Sequence, residues 1–247
     1  MTVTACYLYA IIDAPHAQFV VPENWGAGLQ GQSLQVVIHK ELAAVISYWP
    51  PSGNGTTPTA TEDDVWQHEE IIEGLMEIGP TLPVRFGTIL TSANQVQTLL
   101  VEREAIFRSD LVHLAGRVEM GLRVLWNPPT PNPIEEAAAE PIPSGRHYLQ
   151  RQAAVLQQMD QIRSQGESLA QAVNARLAPF CVDVRMQILQ TQRLLLSAAY
   201  LIERDSVETF QAQTGVLGQH YPELMCLTSG PWPAYHFVGN GGESNRL

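Results

Sequence analysis

Arg117-Val118-Glu119-Met120-Gly121-Leu122-Arg123-Val124-Leu125-Trp126 alternates without a break, with Val118, Met120, Leu122, Val124 and Trp126 on one face and Arg117, Glu119 and Arg123 on the other. A strand with one apolar and one wet side belongs in an antiparallel sheet, because parallel strands are covered on both faces by their crossover helices. Upstream, Ser92 with Gln95 forms a capping box, and Val96, Leu99, Leu100, Phe107, Leu111 and Leu114 then follow at helical spacing up to Gly116. Before that helix, Thr81 to Leu90 reads as a strand, and Thr61 caps a helix running to about Ile78, ended by Gly79 and Pro80. Cys6 to Ile12, Leu34 to His39 and Leu42 to Tyr48 are short β-branched and aromatic runs, hence strands; only Lys40 and Glu41 join the last two, which predicts a tight hairpin. The stretch from Pro50 to Thr61 is rich in Ser, Gly, Thr and Pro and reads as a surface loop.

Downstream, Asn127 to Pro143 puts six prolines and three glutamates into seventeen residues and has little to bury, so it reads as a semi-rigid linker. Ser144 opens a helix of about thirty residues in which Val155, Met159, Ile162, Leu169 and Val173 recur every three or four positions, with Gly166 in the same stripe. Pro179 ends it. Phe180 to Ile188 alternates as a half-exposed strand, Leu194 to Glu203 is its more buried neighbour, Asp205 and Glu208 cap a helix to about His220, and Leu224 to Ser229 is a last strand before an aromatic tail. Adjacent strands are often joined by connections too short for a parallel crossover. The expectation is α+β twice: an N-terminal domain over 1–126, the linker 127–143, and a C-terminal domain with the tail over 144–247, each a small antiparallel or mixed sheet with helices on one face, as variants of the ferredoxin-like type.

The chain has 247 residues, 45% of them hydrophobic, and a formal charge of -11, so nucleic acid and anionic lipid surfaces are repelled. Three scattered cysteines, Cys6, Cys181 and Cys226, with no zinc spacing, suit a reducing, cytoplasmic compartment. No secretion signal is legible at the start, and the longest apolar run, Leu194 to Ile202, falls far short of the ~20 residues a membrane span needs.

Several motifs invite chemistry. Gly26-Ala27-Gly28-Leu29-Gln30-Gly31 matches G-x-G-x-x-G, but a proline-containing loop precedes it and a strand follows, so a turn is the simpler reading and no cofactor is expected. His68-Glu69-Glu70 lacks the second histidine of a zinc protease, since position 72 is Ile72. His68 lies on the stripe of Val65, Ile72 and Leu75, so it is either a hydrogen-bonded core histidine or a catalytic one, the former favoured. Seven acids between Glu62 and Glu77 form a solvated face or a site for a cation or basic partner. In Leu82-Pro83-Val84-Arg85-Phe86-Gly87-Thr88, period two puts Arg85 opposite Leu82, Val84 and Phe86, where it grips an anion or makes an ion pair. No nucleophile elbow or phosphate loop is present. In the tail Gly230-Pro231-Trp232-Pro233-Ala234-Tyr235-His236-Phe237, three large aromatics on a proline-stiffened segment carry much buriable area, either for docking within the chain or for anchoring a partner.

Five stretches in order along the chain resemble the GvpF/GvpL family of gas vesicle accessory proteins: Tyr7-Leu8-Tyr9-Ala10-Ile11, Leu42-Ala43-Ala44-Val45-Ile46-Ser47, Leu82-Pro83-Val84-Arg85-Phe86-Gly87-Thr88, Ser144-Gly145 before Tyr148-Leu149, and Gly230-Pro231-Trp232-Pro233 before Tyr235 and Phe237. The third and the last carry most of the weight, and the chain is most like the F branch. The resemblance implies a minor, non-enzymatic component of gas vesicles that binds the small hydrophobic shell protein GvpA and keeps it from aggregating, with other gas vesicle accessory proteins as further candidate partners. Of the residues singled out, Tyr7, Tyr9, His68, Pro83, Arg85, Phe86 and Gly87 are expected to be structural, and Trp232, Tyr235 and Phe237 to serve tail packing or partner binding. Binding is expected through an exposed apolar strip of a sheet or of the long helix. The alternative is a small-molecule-binding protein or enzyme using His68, Arg85 and nearby acids.

Overall fold

A strand buried on both faces organises the first sheet. In the computed structural model, which describes residues 4–19, 27–49, 61–126, 145–188, 194–222 and 224–239, β1 (Cys6–Asp13) is buried at every residue up to Ile12. It pairs antiparallel with β3 (Leu42–Tyr48), β4 (Thr81–Pro83) and β5 (Ile89–Leu90), and β2 (Leu34–His39) adds to the far side of β3 through the hairpin at Lys40 and Glu41. Between β1 and β3 the register runs from Leu8 opposite Ile46 to Ala10 opposite Val45, which leaves Tyr9 as the extra residue of a β-bulge. The bulge breaks the alternation, so Tyr7, Tyr9, Ala10 and Ile12 all join one core cluster with Leu29, Leu34, Val45, Ile71 and Leu75.

The helices of this region are α1 (Glu62–Ile78), α2 (Ala93–Glu102) and α3 (Glu104–Leu114). Thr61 and Asp64 cap α1 reciprocally: the Thr61 hydroxyl accepts from the Asp64 N–H (3.2 Å) and the Asp64 carboxylate from the Thr61 N–H (2.9 Å). At α2 the Ser92 hydroxyl accepts from Gln95 N–H, but the Gln95 side chain reaches back to Thr91 N–H at 2.7 Å, one residue further than a capping box requires. The single helix expected up to Gly116 is two, because Arg103 leaves helical geometry at φ -110 and ψ 15. The strand expected over Thr81 to Leu90 is also interrupted. Pro83 cannot donate to a ladder, Gly87 sits at φ +85, and Thr88 N–H closes a turn on the Arg85 carbonyl at 3.3 Å.

The second sheet has the order β7-β8-β6-β9, with β6 at Arg117–Trp126, β7 at Asp183–Ile188, β8 at Leu194–Glu203 and β9 at Leu224–Trp232. Between them run α4 (Gly145–Leu177) and α5 (Val207–His220). The last strand extends three residues past the expected Ser229, and Ser206, not Asp205, occupies the N-cap of α5 without a side-chain bond. Gly166 sits within the α4 stripe for a packing reason: a Cβ there would meet the Trp126 ring at 2.9 Å and Leu195 at 3.1 Å. Gly166→Ala therefore destabilises by about 1–3 kcal/mol in chemical denaturation, although alanine is the better helix former; a stabilised variant would show that Trp126 can move aside.

By their contacts the residues form two compact units, 1–119 with 232–247 and 120–231. This differs from the division expected at the linker. Strand β6 goes with the second unit from Met120 on, because its neighbours are β8 and β9, and the tail from Trp232 belongs with the first. The linker 127–143 and the loop 50–60 lie outside the described residues. The architecture is α+β in both units, but the first is not built in β-α-β-β-α-β order: β1, β2 and β3 follow one another, with only short 3-10 segments described between β1 and β2.

Candidate functional site

Around His68 the motif residues of the first unit form a hydrogen-bond chain. His68, on α1, is fully buried; its Nε2 lies 3.0 Å from the Val84 carbonyl and its Nδ1 3.0 Å from the Tyr7 hydroxyl. A carbonyl can only accept, so Nε2 carries the proton and Nδ1 accepts from Tyr7. The Tyr7 oxygen in turn accepts from Gly87 N–H at 2.9 Å. The imidazole stacks on Tyr9 (centroids 5.7 Å) and is met edge-on by Tyr7 and Phe86 at 5.6 and 5.5 Å. Burial holds His68 down to about 4, and burial raises the Tyr7 phenol. Beside it the Tyr9 hydroxyl accepts from Leu29 N–H at 2.8 Å and shares a proton with Ser47 at 3.0 Å.

This arrangement is chemically quiet. Both ring nitrogens are used, and a neutral histidine without solvent access cannot relay protons to a substrate. Pro83 is buried in β4 opposite Ala10, while Arg85 is exposed in the turn that follows. Thus the motif residues do not converge: Tyr7, Tyr9, His68, Phe86 and the backbone of Gly87 come together, and Arg85 does not join them. The glycine-rich stretch forms a turn in which Gly28 N–H donates to the Gln32 carbonyl at 2.6 Å, Gly31 has φ +68, and β2 follows. Among the described residues of this stretch no α-helix begins, only the three-residue 3-10 turn Leu29–Gly31, which is too short to supply the N-terminal turn that holds a pyrophosphate, and Gly26 lies outside the described residues. Among the described residues, no group of three or more His, Cys, Asp or Glu is placed to hold a metal ion, and no helix is long and apolar enough to cross a membrane.

The second constellation is the tail, held by three carboxylates of its own unit. The Tyr235 hydroxyl donates to Glu69 at 2.7 Å, His236 gives its backbone N–H (3.0 Å) and Nδ1 (2.7 Å) to the two oxygens of Glu119, and Gly239 N–H donates to Asp110 at 2.6 Å. Between these anchors Phe237 is fully buried, whereas Trp232 stays exposed. Glu119 thus corrects the opening expectation. It alternates onto the supposedly wet face of β6 yet is buried, because the tail covers it and replaces its water with two hydrogen bonds. Of the three carboxylates only Asp110 left a trace in the sequence, falling on the α3 stripe with Phe107, Leu111 and Leu114.

The His236 bond to Glu119 raises the imidazole above its ordinary value, against partial burial and the repulsion of Arg85. A histidine raised on docking contributes stability that is complete below its unfolded value of 6.5 and fades as pH climbs through the docked value. Tail docking is therefore tighter at about pH 6 than at about pH 9. Tail proteolysis should quicken on alkalinisation in the native chain, and lose that pH dependence in His236→Ala.

Residues 5–239 match the family of gas vesicle synthesis protein GvpL/GvpF. The chain belongs to the GvpL/GvpF family. It is 24% identical over 235 residues to gas vesicle protein F1 of Halobacterium salinarum, covering 94% of this chain and 92% of that one. With gas vesicle protein L of a Streptomyces species it shares 28% over 237 residues, covering 89% and 88%. The fold is that of crystal structures of GvpF from an Anabaena species (TM-score 0.72, 20% identity, 99% of this chain and 100% of that one) and from Microcystis aeruginosa (TM-score 0.67, 18% identity, 96% and 99%). Within the GvpL/GvpF family the F-branch likeness read from the sequence stands.

Proposed function

We propose that this GvpL/GvpF chain is a minor, non-enzymatic component of gas vesicles in the cytoplasm, which binds the hydrophobic shell protein GvpA during assembly and limits its aggregation. The second unit, with its β-α-β-β-α-β order and the strand order β7-β8-β6-β9, is read as the ferredoxin-like variant of the pair. The observation that carries the binding reading is β9. It is the terminal strand of the second sheet, and it leaves Met225 60% and Leu227 49% exposed on a chain whose net charge is otherwise -11. An edge strand with flexible thioether and leucine side chains can cover a small apolar subunit, while the acidic remainder keeps the complex dispersed. Small-molecule chemistry at His68 and Arg85 draws no support from this geometry, since the imidazole is sealed and the guanidinium lies apart.

Co-expression with GvpA followed by affinity purification tests the reading. The native chain should retain GvpA, and Met225→Asp with Leu227→Asp should lower the retained fraction about ten-fold or more, the loss of two buried apolar side chains at about 1.5–3 kcal/mol each being ample for that. Undiminished retention by a folded double variant would remove β9 as the docking strip. Normal vesicle numbers in a buoyant host lacking the gene would remove the assembly role itself.

A further inference from the structure

As the terminal strand of its sheet, β9 hydrogen-bonds to one neighbour, β6, where an inner strand has two. The Thr228 hydroxyl of β9 donates to that of Thr214 on α5 at 3.1 Å. Ser229 packs directly over Gly121 of β6, where a Cβ would come within 2.5 Å of its hydroxyl oxygen. Beyond Ser229 the strand is poorly made for a ladder, since Gly230 has φ +105 and Pro231 has no N–H to give.

The tail takes over at that point. The chain changes unit at Glu119/Met120 in β6 and at Pro231/Trp232 in β9. Three residues past Trp232 the anchors begin: Tyr235 on Glu69 of α1, His236 twice on Glu119 of β6, and Gly239 on Asp110 of α3, with Phe237 buried among them. Glu119 stands two residues before Gly121, the residue beneath Ser229. The tail therefore closes onto the very strand with which β9 pairs.

We propose that the tail is a strap for β9: docked on Glu69, Glu119 and Asp110 it holds the edge strand in the sheet, and undocked it lets the strand fray from its C-terminal end. With the tail fixed, a β9 that leaves β6 is a loop tied at both ends and gains little conformational freedom; with the tail loose, that restraint is gone. Charge sets how firmly the strap is fastened. Facing His236 are Glu119 and, from the turn after β4, Arg85. Facing Tyr235 are Glu69, Glu119 and Tyr7, with Glu73 acting on Glu69. A protonated His236 gives Glu119 a charge-assisted bond, whereas the neutral ring keeps its Nδ1–H and loses the charge, so alkaline solution loosens the strap without undoing it. Because β9 carries Met225 and Leu227, the strap also sets how steadily those side chains are presented; that consequence rests on β9 being the GvpA docking strip, and the strap itself does not.

Hydrogen–deuterium exchange on the full chain, read by mass spectrometry without GvpA and corrected for the intrinsic pH dependence of exchange, tests the strap. Tyr235→Phe, His236→Ala and Phe237→Ala combined should speed exchange of the β9 amides about ten-fold or more, while those of β8 keep their native rates. In the native chain the β9 amides should open several-fold more readily at about pH 9 than at about pH 6, and His236→Ala should flatten that difference. Native β9 rates in the combined variant, with its tail amides exposed, would overturn the strap. A native chain whose β9 rate ignores pH would overturn the role given to His236, and this arm decides alone if the combined variant unfolds throughout. Added GvpA should slow β9 exchange in the native chain; its failure to do so would remove the docking strip and leave the strap standing.

Discussion

Replacing His68 by alanine will lower the free energy of unfolding by about 3–4 kcal/mol. The substitution leaves a cavity among Tyr7, Tyr9 and Phe86, and it also strips the Val84 carbonyl of its donor and the Tyr7 hydroxyl of its acceptor. A buried large-to-small change costs a few kcal/mol by itself, and each orphaned buried polar group adds about 1 or more. Tyr7→Phe is milder, about 1–3 kcal/mol, since it keeps the ring and removes the acceptor of Gly87 N–H and the donor to Nδ1. The same residue shapes the response to acid. His68 is held at about 4 in the folded chain against 6.5 unfolded. Between those values the unfolded chain binds a proton that the folded one refuses, so stability rises with pH across that window and falls on acidification, by about 3 kcal/mol in all. Urea titrations at several pH values check both statements. The difference between native and His68→Ala chains should shrink as pH drops from about 7 to about 4; a constant difference would mean that the imidazole takes up its proton without leaving the core.

Phe237→Ala will release the tail. Phe237 is fully buried, and the carboxylate bonds on either side of it, from Tyr235 to Glu69, His236 to Glu119 and Gly239 to Asp110, each trade water for protein and so yield only about 0.5–3 kcal/mol apiece. The ring is the single largest apolar contribution in the segment. Its truncation costs about 3 kcal/mol, and the loss is bounded by the docking energy of the tail, beyond which the segment simply leaves. Departure uncovers Glu119 and Asp110 to water, which relieves them, so the first unit should remain folded. Limited proteolysis should then cleave beyond Pro233 in the variant and spare the native chain, while circular dichroism changes little. Resistance equal to that of the native chain would show that the carboxylates alone hold the tail.

The two predictions mark where sequence reading works and where it stops. The strands β1, β2 and β3, the hairpin at Lys40, the Thr61 cap and the long helix α4 were legible, because each depends on neighbours within a few residues: apolar period, a capping hydroxyl, a terminating glycine or proline. His68 was legible as a residue on an apolar stripe, and its environment was not. Tyr7 lies 61 positions away in sequence, and the tautomer follows from Val84 and Gly87, which are brought together by the pairing of β4 and β5 with β1. Glu119 and Glu69 looked like solvent-facing acids by local pattern, and Arg103 like mid-helix, where the chain in fact turns.

By itself the sequence determined the α+β class, the antiparallel habit announced by the alternation of Arg117 to Trp126, and the family, because amphipathic period and short motifs are local properties. Tertiary structure alone decided that Tyr9 is a bulge residue, that Glu119 is buried, that the tail belongs with the first unit, and that Leu156 and Met159 of α4 are exposed while Ala170, Val173 and Leu177 are buried. Each of these depends on which distant surface covers a residue, and covering is a property of three-dimensional contact that no window along the chain contains.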